Sequence, residues 1–264
     1  MSATPHVQPA HPADARQVNQ PNRTGRTPAM SMDANSLRRI AIVAGVFFLI
    51  TEVSAVAGLA LYQPVLADAN YVGGAGADGR VALGALAEFI LVVAIIGTAV
   101  TLYPVVRRQN EAIALGYVGG RVLEAAIITV GMVTVLSVLT LRQAVAAGAS
   151  TADGSLVAVG KSLVAIHDWT FLLGPSLVLG LNSLLLAYLM FRSGLVPRFI
   201  AMLGLVGGPL VTISAVGVLF GLYGPGAHAI SAIPVFAWEV SLAVYLIVKG
   251  FKPSPITAPD YLDR

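Results

Sequence analysis

An all-α fold is what this sequence predicts: a polytopic membrane bundle of six transmembrane helices, both termini cytoplasmic. Three observations carry the prediction. The first is composition. Residues are 56% hydrophobic and only 11% charged, where a soluble domain is nearer a quarter charged, so a water-facing globule has too little polar surface to work with. The second is segmentation into six apolar stretches of bilayer-crossing length. The third is an uneven placement of Lys and Arg along the loops.

The elements follow in order. Residues 1–36 are rich in Pro, Gln, Asn and Ala with almost no large apolar side chains, so they cannot bury enough surface to offset chain entropy and read as a disordered tail. Met30 and Met32 stand just before the first apolar run, and either is an alternative start to Met1. That run is too long for the apolar region of a signal peptide, which favours an uncleaved first span. The spans are expected over residues 38–62, 81–105, 112–140, 163–191, 198–223 and 228–249, within a transmembrane domain of 37–252 that is followed by a short C-terminal tail, 253–264. Helical spacing in "SLVAVGKSLVAIHDW" extends the fourth helix back toward Ser155. Pro175 and Pro234 fall inside spans, where they distort a helix rather than end it.

Twelve Lys and Arg fall on the side of the termini and of the second and fourth loops, against three (Arg80, Arg142 and Lys161) on the other. Cytoplasmic loops are the Lys/Arg-rich ones, which puts both termini inside a cell membrane. Tyr62, Trp169 and Tyr223 would mark the outer interface. The net charge of +3 and pI near 9.3 do not indicate nucleic acid, because the cations are spread over loop ends, where they meet anionic lipid head groups. With no cysteine, disulfides, thiolate metal sites and a cysteine nucleophile are excluded.

Four stretches, "RRIAIVAGVFFLITEVSAVAGLALYQPVL", "AIHDWTFLLGP", "GLVPRFIAMLGLVGGPL" and "PVFAWEVSLAVYLIVKGF", resemble corresponding parts of a family of bacterial six-helix membrane proteins catalogued only as a domain of unknown function. The resemblance covers roughly residues 36–252. It implies the six-span architecture and brings no assigned catalytic or binding residues.

Few motifs point to chemistry. "GAGADG" at 74–79 fits G-x-G-x-x-G in letters but lies in a loop between spans, without the strand and helix a dinucleotide site needs. There is no P-loop, G-x-S-x-G or H-E-x-x-H, so no cofactor is expected and no catalytic residue is identified. Glycines recur at i, i+4 (Gly116/Gly120, Gly204/Gly208, Gly217/Gly221), a pattern that favours packing within the bundle, with a homo-oligomer as the alternative.

The informative residues are ionisable groups inside spans: Glu52, Glu88, Arg121, Glu124, Asp168 and Glu239, with His167 and Asn182 as secondary candidates. A charge at mid-bilayer costs about 2.5–3.5 kcal/mol on insertion scales, so these side chains are expected to face inward and meet one another. Counting about 1.5 Å per residue from the span ends brings Glu52, Glu124 and Glu239 to similar depth near the midplane. Arg121 and Glu124, at i, i+3, share a stripe with Tyr117. Asp168, Pro175 and Asn182 recur every seven residues and should line the fourth span, whereas His167 is expected at the head groups beside Trp169. Five carboxyls facing one Arg leave an acidic excess that calls for protons or a cation. A zinc site lacks ligands, and an all-carboxylate site would suit Mg, Ca or Mn instead. Three functions fit this pattern: transport or small-ligand or cation binding at a carboxylate-rich midplane site, an intramembrane enzyme acting on a lipid-like substrate, or a non-catalytic subunit or sensor whose buried charges only hold the bundle.

The topology is directly testable. A reporter fused after Arg264 should read cytoplasmic, and one inserted into "GGAGADG" should read external. A cytoplasmic signal from that loop would overturn the orientation.

Overall fold

The computed structural model describes residues 33–68, 70–74, 76–149 and 154–258. Nearly all of the N-terminal tail, with its expected disorder and alternative starts, lies outside these residues, as does the end of the C-terminal tail. Among the described residues the chain is helical, with no strand. Six helices are long and apolar enough to cross a membrane, and their outward faces expose large apolar side chains such as Val53, Val100, Phe199 and Ile213, as a bilayer-embedded bundle requires. The protein is a multi-pass membrane protein.

The first span is α1 (Ala34–Ala67), the second α2 (Asp78–Val106), the third α3 (Glu111–Ala146). α1 takes in the last three residues of the expected tail, 34–36. The reason is local: the Asp33 side chain accepts a hydrogen bond from the Ser36 N–H and caps the first turn, which holds the Asp33 carboxyl below its ordinary pKa. Asn110 caps α3 in the same way, through the Ile113 N–H.

The fourth span is interrupted. α4 (Ser155–Leu172) passes into a π turn, Leu173–Val178, and then into α5 (Leu179–Ser193). Pro175, inside that turn, has no N–H to donate to the carbonyl four residues back, so the ladder widens rather than breaks. The fifth span is α6 (Arg198–Leu219). The sixth is split at Ala232 into α7 (Pro225–Ser231) and α8 (Ile233–Val248), with Pro234 in the first turn of α8, where its missing N–H is tolerated.

Sequential spans pack as antiparallel neighbours, and α8 returns to pack on both α6 and α1, closing the ring. Close approach is achieved at glycines. A Cβ on Gly208 would lie 2.5 Å from the Gly180 carbonyl oxygen, and one on Gly45 would lie 2.7 Å from that of Ala243, so α6 meets α5, and α1 meets α8, backbone to backbone.

The two ends differ. At the end carrying both described termini, Phe48, Leu102, Tyr117, Leu186, Trp238 and Leu242 form a fully buried plug. Arg38 fastens it by donating to the Leu246 and Ile247 carbonyls, at 3.1 and 2.7 Å, which satisfies the last turn of α8. The segment after α8 adds a belt: the Lys252 N–H donates to the Leu195 carbonyl, the Ser254 hydroxyl to that of Ser193, and Ile256 is buried. At the other end Tyr62, Val65, Val72, Val81, Val135 and Val138 join α1, α2 and α3. Arg142 of α3 pairs with Asp78 of α2 at 2.6 Å, and the Tyr71 hydroxyl donates to the same carboxylate. Burial and that neighbouring carboxylate push the Tyr71 phenol up. The acidic residue of "GAGADG" is thus part of a clasp between spans.

Gly208→Val should drive α6 from α5 and lower stability by about 1–3 kcal/mol. Gly119→Ala, where a Cβ meets nothing within 4 Å, should leave the melting temperature in detergent unchanged or slightly raised.

Candidate functional site

A cavity of about 230 Å³ occupies the middle of the bundle, above the buried plug. Its floor is an ion-pair cluster. Arg121, 1% exposed, donates through Nη2 to Glu239 Oε1 on α8 and lies 3.3 Å through Nη1 from Glu124 Oε2 on its own helix. Asn182 of α5 donates to the same Glu124 oxygen at 2.9 Å. The guanidinium carbon lies 5.6 Å from the ring centroids of both Phe48 and Tyr117, a cation–π arrangement strengthened by the burial of the side chain. The Tyr117 hydroxyl reaches Thr98 at 3.4 Å. Gly120 makes the Asn182 contact feasible, since a Cβ there would fall 1.9 Å from Asn182 Oδ1.

The acidic residues then climb one wall. Glu52 of α1 stands against Glu239. Glu88 of α2 lies beside Gly58, to which an added Cβ would approach within 3.1 Å of Glu88 Cγ, about 9 Å farther along α1 than Glu52 at 1.5 Å per residue. Tyr62 faces Glu88, yet Tyr62 Oη and Glu88 Oε2 are both buried without a hydrogen-bond partner, as are Arg121 Nε and His167 Nδ1. Orphaned buried polar atoms of this kind are uncommon and mark a place where further hydrogen bonding is available.

Of the residues singled out from sequence, Glu52, Glu88, Arg121, Glu124, Glu239 and His167 line this cavity, and Asn182 supports its floor. Asp168 does not belong to it. Its side chain is 68% exposed and does not line the cavity, although its Oδ1 lies 3.6 Å from His167 Nδ1, while His167, expected at the head groups, is 4% exposed and packs edge-on against Tyr62 and in a stacked arrangement with Phe171. The π turn explains the exchange. It inserts one residue into the helical repeat, so residues before Leu173 are rotated by about 100° relative to an unbroken helix. His167, not Asp168, therefore falls in line with Asn182. Among the described residues no three His, Asp or Glu side chains converge to hold a metal ion, so the all-carboxylate metal site is not formed.

Tyr62 is the wall residue that sequence reading assigned elsewhere. It is fully buried, not at the interface. The signal was present: Glu52, Ala55, Leu59 and Tyr62 follow the three-four spacing of one helical face.

The mouth is apolar and lies on the side of the bundle. α4 packs on α3, and α8 on α1 and α6, but α4 does not pack extensively on α1 or α8. Along the resulting gap Val56, Leu59, Phe171 and Phe236, all lining the cavity, are 63, 42, 42 and 48% exposed.

Residues 43–250 match the family described as Domain of unknown function (DUF4386). The chain belongs to that family. The match spans every residue that lines the cavity, Thr51 to Glu239. No curated protein and no solved structure matches the chain.

Replacing Arg121 by Met should destabilise the protein by about 3–5 kcal/mol, because it strips the partner from two buried carboxyls at once. Glu124→Gln, which keeps an acceptor for Arg121 and Asn182, should be milder. Glu239→Gln added to Arg121→Met should recover part of the loss. Melting curves of the purified variants decide this, and a parent-like Arg121→Met would show that the cluster does not hold the bundle.

Proposed function

We infer that this protein is a membrane-embedded binding protein that admits the polar head of an amphipathic molecule sideways from the bilayer, for transport or for chemistry on a lipid-like substrate. The observation that carries this reading is the pairing of an exposed apolar mouth, Val56, Leu59, Phe171 and Phe236, with a buried ionisable interior, Glu52, Glu88 and Arg121. A molecule with a hydrocarbon body and a polar head satisfies both at once, and a water-borne polar solute would have to cross the apolar rim first. The plug at Phe48, Tyr117 and Trp238 argues against an open pore. With both termini cytoplasmic, as the Lys and Arg distribution favours, the cavity lies in the outer half of the cell membrane.

Transport gains support from one feature. Two interrupted spans, at the π turn and at Ala232, both contribute to the cavity wall, and broken helices around a midplane site are where transporters change shape.

Binding is tested with purified protein in lipid nanodiscs exposed to a lipid extract. At least one component should survive into native mass spectrometry and raise the melting temperature. Val56→Trp with Leu59→Trp, which fills the mouth without touching the ion-pair cluster, should remove both effects and leave the unliganded melting temperature near the parent. Retention of no component by the parent protein would overturn the reading.

A further inference from the structure

We propose that the head group this cavity recognises is an ammonium, carried on an apolar chain: an amphipathic amine. The inference rests on the reading of the cavity as a site for an amphipathic molecule and adds its charge.

Arg121 would be the natural partner of an anionic head, but its two terminal nitrogens are already engaged, one by Glu124 and one by Glu239, so that only the Nε–H is left and the charge is already met by two carboxyls. An entering carboxylate or phosphate would instead pass the Glu88 carboxylate, and like charges in a desolvated site repel strongly. The carboxyls of Glu52 and Glu88 receive no Lys or Arg partner among the described residues.

Acidity alone would not make a site. The second, independent observation is the pair of unsatisfied atoms on the wall: Tyr62 Oη, on a side chain with no exposure, and Glu88 Oε2. Both can accept. An ammonium has three N–H donors and no acceptor, so one nitrogen can donate to Glu88 Oε2 and Tyr62 Oη together, with charge assistance from the carboxylate. A hydroxyl head offers one donor and no charge. The rings of Phe171 and Phe236 at the mouth give a cation an attractive path inward, and the same apolar rim holds the chain. Neither contact suits a bare metal ion, for which the described residues provide no ligand set.

Four probes of equal chain length separate the cases: dodecylamine, dodecyltrimethylammonium, dodecanol and dodecanoate, each titrated against the full chain in nanodiscs at neutral pH. Dodecylamine should bind about tenfold or more tighter than dodecanol, a difference of about 1.4 kcal/mol, and dodecanoate weakest. Dodecyltrimethylammonium, which has charge but no N–H donor, should fall between amine and alcohol. Glu88→Gln should collapse the preference for amine over alcohol by weakening dodecylamine far more than dodecanol, and Tyr62→Phe should narrow it. The Phe variant also serves if Glu88→Gln does not fold. Equal binding of amine and alcohol, preference for dodecanoate, or an amine preference that survives both substitutions would overturn the ammonium assignment while leaving an amphiphile site standing. Failure of all four probes, together with an empty lipid-extract screen, would remove the site itself.

Discussion

A guanidinium in the middle of an apolar bundle has to be met from every side, and Arg121 is met by four spans. Glu239 reaches it from the sixth, Glu124 from its own helix, Phe48 from the first, and Asn182 of the fourth reaches it indirectly through Glu124. Each contact fixes a helix in rotation and in height, because a displacement of one residue would leave a charge uncompensated in a low-dielectric interior. Replacement of such a cluster by apolar side chains is often neutral or stabilising in other proteins, so its value here is register more than net free energy. Gly120 follows from the same constraint: the position facing Asn182 has no space for a methyl group.

Much of this was legible in the sequence. Six spans, the short connections and the inward-facing stripe of Tyr117, Arg121 and Glu124 follow from apolar run length and helical spacing, because a bilayer leaves the backbone few alternatives. The convergence of Glu52, Glu124 and Glu239 followed from counting residues along straight helices. What was not legible was where helices stop being straight. Nothing in "WTFLLGPSLV" announces that Pro175 sits in a π turn rather than at a kink, and that turn decides which of His167 and Asp168 looks inward. Tyr62 was misplaced for a different reason. An aromatic near a span end fits an interface and a wall equally well, and only the neighbouring helix resolves the choice.

The asymmetry between the two ends has a physical origin in side-chain volume. At the end carrying the termini, Trp238, Phe48, Tyr117 and Leu242 fill the space between helices, and Gly204 lets the indole of Trp238 lie against α6. Toward the other end the inward positions of α1 include the smaller Ala55, and Ala232 stands at the break between α7 and α8. The helices there are held by the Tyr62 and Val138 cluster among α1, α2 and α3 and by clasps at the edges, Asp78 with Arg142 and His228 between Ser176 and Ser214. A bundle built this way stays open where its walls carry polar groups and closed where they do not.

The π turn has a consequence for how such a chain can diverge. Because it stores one extra residue, the fourth span has a second register one deletion away. Loss of a single residue between Leu173 and Val178 would restore continuous α-helix and rotate everything before it by about 100°. Asp168 would swing inward and His167 out toward lipid, exchanging an imidazole for a carboxyl in the cavity wall with neither residue mutated. Gain or loss of one codon at that turn is thus a route to a new interior chemistry on an unchanged scaffold.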